Sequence, residues 1–287
     1  MRDARGRECR GAQMQFSDLA VTHHGNVACI AIVRPETKNA LRRETLEQLR
    51  AAMAALSARP DVRAMVLTGC ESGFCSGADL SDPMMGGHLP PERRGEACAS
   101  VLDGLMHALI RDVRNAPFPV VVAVNGVAAG GGVGLALAGD IAIAARSARF
   151  VLTFTSKLGL VPDLGTSWQL ARTLGRARAL GVLLTGQPLS SEQALDWGLI
   201  WSVAEDDGLR EQALSLAARL AAGPVAGQVA TRRLLDHAFV SDLDSQLDAE
   251  RDAQASLVGG SEVMEAMQAF AARRAPDFLA AGRTGKS

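Results

Sequence analysis

Lysine is scarce in this chain: only Lys38, Lys157 and Lys286 occur among 287 residues. Arginine carries the rest of the positive charge, and 30 basic residues stand against 31 acidic ones. So even a balance creates no global field for nucleic acid or an anionic membrane, and neither is expected as a partner. Cysteines are few and odd in number. Cys9, Cys29, Cys70, Cys75 and Cys98 form no C-x-x-C pair, and Cys70 and Cys75 have no histidines at metal-ligand spacing. They read as reduced thiols of a cytoplasmic protein, with no disulfide framework and no metal. Residues 1–13 hold four arginines, Asp3 and Glu8 but no apolar segment, which argues against a signal peptide. That stretch reads as a disordered leader, with Met14 as an alternative start to Met1.

Long uncharged runs are equally rare. The stretch 119–145 is long enough to imitate a membrane span, yet Asn125, Asp140 and several glycines interrupt it. Two buried strands with a glycine-bounded helix between them fit better. With 48% hydrophobic and 21% charged residues, the composition is that of an ordinary soluble globular protein. The length suits one large domain, or a core of about 200 residues with a smaller appendage.

The apolar run 27–33 ends at Arg34-Pro35, where proline stops a strand. Leu46, Leu49, Met53 and Leu56 then share one helical face. The segment 62–68 is a second strand, followed by a third at 120–124, a short helix at 132–138 and a strand at 141–144. Ser190 and Gln193 form a capping-box pair, Gly198 stops that helix, and 199–204 is the last strand. After Asp206 the chain is rich in Ala, Leu, Arg and Glu and reads as helices at 209–222, 225–238, 243–257 and 261–272. Strand–helix alternation giving way to helices predicts an α/β core over 14–205 and a helical region over 206–287.

Two loops concentrate the chemistry. One is Gly73-Phe-Cys-Ser-Gly-Ala-Asp-Leu80, after the second strand. The other is Asn125-Gly-Val-Ala-Ala-Gly-Gly-Gly132, which opens a helix. Glycine lets backbone approach a ligand, and a helix start presents unpaired N–H groups. Together such loops can aim two donors at one oxygen that gains charge during reaction, each worth about 3–4 kcal/mol. Neither loop has the G-x-G-x-x-G pattern of a dinucleotide site or the Gly-Lys-Ser/Thr of a phosphate loop. Tight helix–strand packing is the plain alternative for the glycine triplet alone.

Arg34-Pro-Glu-Thr-Lys-Asn-Ala-Leu41, Phe74-Cys-Ser-Gly-Ala-Asp-Leu80, Val124 to Gly132, Gly159-Leu-Val-Pro-Asp163 and Thr185-Gly-Gln-Pro-Leu-Ser190 resemble, in order, five motifs of the crotonase (enoyl-CoA hydratase/isomerase) superfamily. The resemblance runs from Phe16 to the C-terminus. It implies a crotonase-like spiral of ββα repeats, a helical C-terminal trimerisation region, and a homotrimer or dimer of trimers. It also implies an acyl-CoA thioester as substrate, with coenzyme A as part of that substrate and no separate cofactor. The oxyanion hole would be the N–H groups of Ala78 and Gly131. Ala78, Asp79, Leu80 and Ser81 would lie along the coenzyme, with Ala40, Ser76, Gly77, Gly130, Gly132 and Thr155 lining the site. Arg34 and Lys38 are candidates for the coenzyme phosphates, or else solvated surface groups.

The chain departs from the hydratase pattern in its acids. Where that family's hydratases carry a glutamate just after the glycine triplet, this chain has Gly134. Where they carry a second, it has Thr155, or Phe154 if a one-residue insertion lies between. No carboxylate occurs between Asp140 and Asp163. Asp163 remains, at a position resembling the acid/base of dienoyl-CoA and ring-epoxide isomerases and the nucleophile of haloaromatic-CoA dehalogenases. One carboxylate suffices for a double-bond shift, since it can remove a proton at one carbon and return it at another. Leu160, Val161, Leu164 and Trp168 would surround Asp163 and raise its pKa. The competing role for Asp163 is a helix N-cap before a helix at 168–174.

Asp140 reads as structural and Asp79 as a loop fixer. His23 and His24 lie before the first strand, His107 is a structural helix residue, and His88 belongs to a mobile loop, 81–97, walling the acyl pocket with Met84 and Met85. Three functions follow: an enoyl-CoA isomerase of double-bond or ring-epoxide type, a 2-enoyl-CoA hydratase using Asp163 alone or a carboxylate from elsewhere, or a non-catalytic acyl-CoA binder. Some proteins of the resembled family bind RNA, and the scarcity of lysine argues against that here.

Overall fold

The computed structural model describes residues 15–71 and 73–284. The leader, the choice between Met1 and Met14, Cys9 and Lys286 lie outside the described residues. Six strands form the main sheet in the order β1 (Leu19–His24), β2 (Val27–Ile32), β3 (Ala64–Gly69), β5 (Val120–Val124), β7 (Ile141–Ala145) and β10 (Ser202–Ala204). A second sheet holds β4 (Gly73–Cys75), β6 (Val127–Ala129), β8 (Arg149–Val151) and β9 (Leu189–Ser190). β2, β3, β5, β7 and β10 run parallel, as do β4, β6 and β8. Each strand of the central sheet from β3 to β7 therefore hands the chain directly to a short strand of the second.

The strands read from continuous apolar runs are the central ones, because a strand covered on both faces needs no polar alternation. β5, Val-Val-Val-Ala-Val, is buried at every residue. The helix Arg43–Ser57 buries Leu46, Leu49, Met53 and Leu56 on one face, each worth about 1.5–3 kcal/mol relative to exposure. The almost uncharged 119–145 stretch is β5, β6, the helix Gly131–Ala136 and β7. Among the described residues no helix is long and apolar enough to cross a membrane. The capping box of Ser190 and Gln193 is formed in both directions.

Several expectations need correction. The first strand is β1, so His23 and His24 lie within it, exposed on an antiparallel edge paired with β2. The segment 81–97 is no open loop. Asp82 caps a 3-10 turn at Pro83–Met85, and a helix, Pro91–Val101, follows and passes through a π turn, Leu102–Met106, into the helix His107–Arg114. Met84 is buried and His88 exposed. The four C-terminal helices are Leu209–Ala222, Val225–Ala238, Leu243–Leu257 and Ser261–Ala271, joined by an unanticipated fifth, Phe278–Thr284. Leu209–Ala222 packs on β2, β3, β5 and β7 and buries Ala213, Ala217 and Ala221. The core thus extends past residue 205. By contrast, Val225–Ala238 and Leu243–Leu257 bury no residue.

Candidate active site

The two loops meet where β4 and β6 end. Gly77 has φ +93, and a Cβ there would come within 2.8 Å of the Ala129 carbonyl oxygen and 3.3 Å of the Gly131 nitrogen. A side chain at Gly77 would therefore wedge the loops apart. Gly132 is equally constrained, since its Cβ would collide with the carbonyl of Cys75. Burial pushes the Cys75 thiol up to about 12, which makes it an inert packing group beneath the glycines. Gly130, at φ +51, donates to the Val151 carbonyl at 2.9 Å and accepts from Val133 at 2.9 Å. Gly131 then opens the helix Gly131–Ala136 with an N–H that has no partner within that helix.

Ser76 anchors the other loop through its hydroxyl to the Thr37 carbonyl (2.7 Å) and its N–H to Lys38 (3.0 Å). Asp79 accepts from the Ser81 N–H and hydroxyl at 3.1 and 2.6 Å. The Ser81 hydrogen bond, joined by Arg34, holds the Asp79 carboxyl below its ordinary range. Leu80 is exposed. Lys38, at φ +53, leaves its side chain in solvent. Arg34 is enclosed at 9% exposure and faces Asp79 and the Ala40 carbonyl, and Ala40 is itself buried.

Asp163 faces the glycine loop. A Cβ at Gly131 would lie 3.3 Å from Asp163 Oδ1, and that oxygen is buried with no hydrogen-bond partner among the described residues. Burial pushes the carboxyl up to about 6. Its side chain caps no helix. The helix Thr166–Thr173 starts at Gly165 without a side-chain cap, and the bond from Thr166 goes to the Asp163 carbonyl at 2.8 Å. Leu164 takes φ +49, a costly conformation for a side chain of its size, to make this turn.

The apolar surround is narrower than expected. Leu164 is buried, but Leu160 and Val161 are exposed, and the Trp168 ring carries the guanidinium groups of Arg114 and Arg172 at 4.6 and 4.0 Å from its centroid. Thr155 is exposed and its hydroxyl donates to the Leu160 carbonyl at 3.1 Å. It stands in a π turn, Phe154–Leu158, which accommodates one more residue than an α turn. Asp140 accepts from the Val120 N–H at 2.7 Å and pairs with Arg232 at 3.1 Å. Burial raises it despite that arginine, as befits a structural acid.

Sequence reading passed over Thr153. Its hydroxyl makes no hydrogen bond among the described residues and lies 3.8 Å from where a Gly130 Cβ would stand. No motif or periodicity marks it. Asn39 and Asn125 stand inside the quoted motifs, which do not disclose their role. Both donate to the Gly73 carbonyl, at 2.7 and 3.1 Å, and so fasten the start of the loop. Among the described residues no three His, Cys, Asp or Glu side chains are grouped to hold a metal ion.

The sequence matches the family model described as "Enoyl-CoA hydratase/isomerase" over residues 22–281. It is 42% identical over 252 residues to the 1,2-epoxyphenylacetyl-CoA isomerase of Escherichia coli K12, covering 88% of this chain and 94% of that one. A protein of Rhodobacter capsulatus named "Probable enoyl-CoA hydratase" is 38% identical, covering 92% and 99% of the two chains. The crystal structure of an enoyl-CoA hydratase from Polaromonas sp. JS666 superposes with a TM-score of 0.83 at 33% identity, over 90% of this chain and 98% of that one.

Proposed function

This chain belongs to the enoyl-CoA hydratase/isomerase family, and we propose that within it the chain acts as an isomerase on an acyl-CoA thioester. The observation that carries this reading is the buried, unpartnered Oδ1 of Asp163 facing Gly131, with glycine at 134. The thioester carbonyl would accept from the N–H groups of Ala78 and Gly131 while an enolate forms. Asp163 would take a proton from one carbon of the acyl group and return it at another. A carboxyl near 6 is suited to both halves of that exchange at neutral pH. The relative from Escherichia coli, named for a ring-epoxide substrate, makes 1,2-epoxyphenylacetyl-CoA the first compound to try.

Exposed Leu235, Phe239, Val240, Leu243 and Leu247 on or beside the helices Val225–Ala238 and Leu243–Leu257 support a homotrimer or dimer of trimers with these helices at the interface.

Asp163→Asn tests the assignment. Turnover of 1,2-epoxyphenylacetyl-CoA or an enoyl-CoA should fall about 10²–10⁴-fold with binding retained. Retained turnover overturns it. Incubation with crotonyl-CoA in labelled water separates isomerase from hydratase, because only hydration leaves label in a 3-hydroxyacyl product.

A further inference from the structure

Ala78 is bracketed by two backbone hydrogen bonds to one residue. Leu41 donates to the Gly77 carbonyl at 2.7 Å, and Asp79 donates to the Leu41 carbonyl at 2.9 Å. This is a single parallel bridge between Leu41 and Ala78. In such a bridge the bracketed residue turns its own N–H and C=O away from its partner. The pairing of 40–41 with 77–79 thus decides where the Ala78 N–H points, yet the bridge belongs to neither sheet and is only one residue long.

One side chain grips both halves of it. Arg34 Nη1 donates to the Ala40 carbonyl at 2.7 Å, just before Leu41, and Nη2 meets Asp79 Oδ2 at 3.0 Å, just after Ala78. Arg34 is itself fixed, because its N–H donates to Asn39 Oδ1 at 2.8 Å and its carbonyl accepts from Thr37 and Asn39. Its side chain is 10% exposed, and Nε lies 3.8 Å from Asp18 and 3.6 Å from Glu36. A guanidinium enclosed by carboxylates presents no free charge to a phosphate.

We propose that Arg34 is a positioning residue for the oxyanion hole, clamping Ala40 to Asp79 so that the Leu41–Ala78 bridge holds the Ala78 N–H on the thioester oxygen. This rests on the acyl-CoA reading above and replaces a phosphate-binding role for Arg34. The planar fork of arginine makes both contacts at once, which a lysine cannot reproduce.

The test uses Arg34→Met and Asp79→Asn, the latter keeping an acceptor for Ser81 while weakening the clamp. Deuterium entry at the α-carbon is followed for phenylacetyl-CoA and for phenylacetyl-pantetheine, which lacks the nucleotide phosphates. We expect the saturating exchange rate to fall about tenfold or more for both thioesters, with half-saturation little changed. A loss confined to half-saturation for the CoA ester, and absent with the pantetheine ester, would restore the phosphate role and overturn the clamp. Amide hydrogen exchange supplies a readout without turnover: the Leu41 and Asp79 amides should lose protection in both variants while β2 and β3 keep theirs. Unchanged protection also overturns the proposal. If the unsubstituted protein exchanges no α-proton of either ester, the acyl-CoA reading fails, and amide protection still decides for or against the clamp.

Discussion

A Cβ placed on Gly134 would lie 2.6 Å from the carbonyl oxygen of Leu164 and 2.8 Å from its Cβ. The position at which the family's hydratases carry a glutamate is therefore filled by backbone from the Asp163 turn. Gly134→Ala should destabilise the fold by about 1–3 kcal/mol, and Gly134→Glu by more, because backbone cannot move aside as a flexible side chain does. Denaturant titration measures this. Gly134→Glu should gain no crotonyl-CoA hydration, and a stable, hydrating variant would show that the turn yields readily.

The second prediction concerns pH and stability. Asp163 is raised from 3.8 to about 6 by burial. Across that window the folded chain keeps a proton that the unfolded chain has lost, so the group's contribution to stability declines as pH rises and stays unfavourable above it. The rise from 3.8 to about 6 corresponds to about 3 kcal/mol. Asp163→Asn should therefore stabilise the protein at pH 8 by up to that amount and have little effect at pH 4. Equal effects at both would contradict the buried, unpaired state of the carboxylate.

A third follows for rate. If Asp163 must be ionised to take the proton, kcat/KM should fall about tenfold per pH unit below about 6 and flatten above it. In Asp163→Asn the residual rate should lose this limb. A profile flat from pH 5 to 8 in the unsubstituted protein would count against Asp163 as the base.

Asn39 supplies the fourth. It is fully buried at φ +61, accepts from the Arg34 N–H, and donates to the carbonyls of Cys70 and Gly73 at 3.1 and 2.7 Å. Asn39→Ala should cost about 2–4 kcal/mol. Asn39→Gly should recover about 1 kcal/mol of that through its freedom at positive φ. Thermal melts of the pair separate the hydrogen bonds from the backbone strain.

These residues show what was legible in the sequence and what was not. β2 and β5 could be read because each is an unbroken apolar run, and β3 because 62–68 alternates and then runs apolar into Gly69. β4, β6 and β8 are three residues long, too short to show any period. β1 has one buried residue on an open edge and so lacks a signature. The helix Pro91–Val101 buries only Val101, and its Pro-Glu-Arg-Arg-Gly opening resembles a loop. Within the site, the two glycine loops and the lone acid were visible as residue types. That Asp163 would cap nothing was not, because it depends on Leu164 and Gly165 both taking positive φ, at +49 and +74. Arg34 reads either as a phosphate ligand or as a solvated charge, because one of its partners, Ala40, offers only a backbone carbonyl and the other, Asp79, lies 45 residues away.

The π turn at Phe154–Leu158 bears on how this chain could change its chemistry. One extra residue rotates everything beyond it by about 100° around the helix axis relative to an uninterrupted α turn. A carboxylate introduced at Thr155 by a point mutation would start from an exposed position whose present hydroxyl turns back to the Leu160 carbonyl. Recovering the geometry of an uninterrupted turn would require a deletion, alongside a rebuilt Leu164 turn to free Gly134. A second and third acid beside Asp163 would thus call for changes at two separate turns, the π turn that carries Thr155 and the Leu164 turn that lies over Gly134.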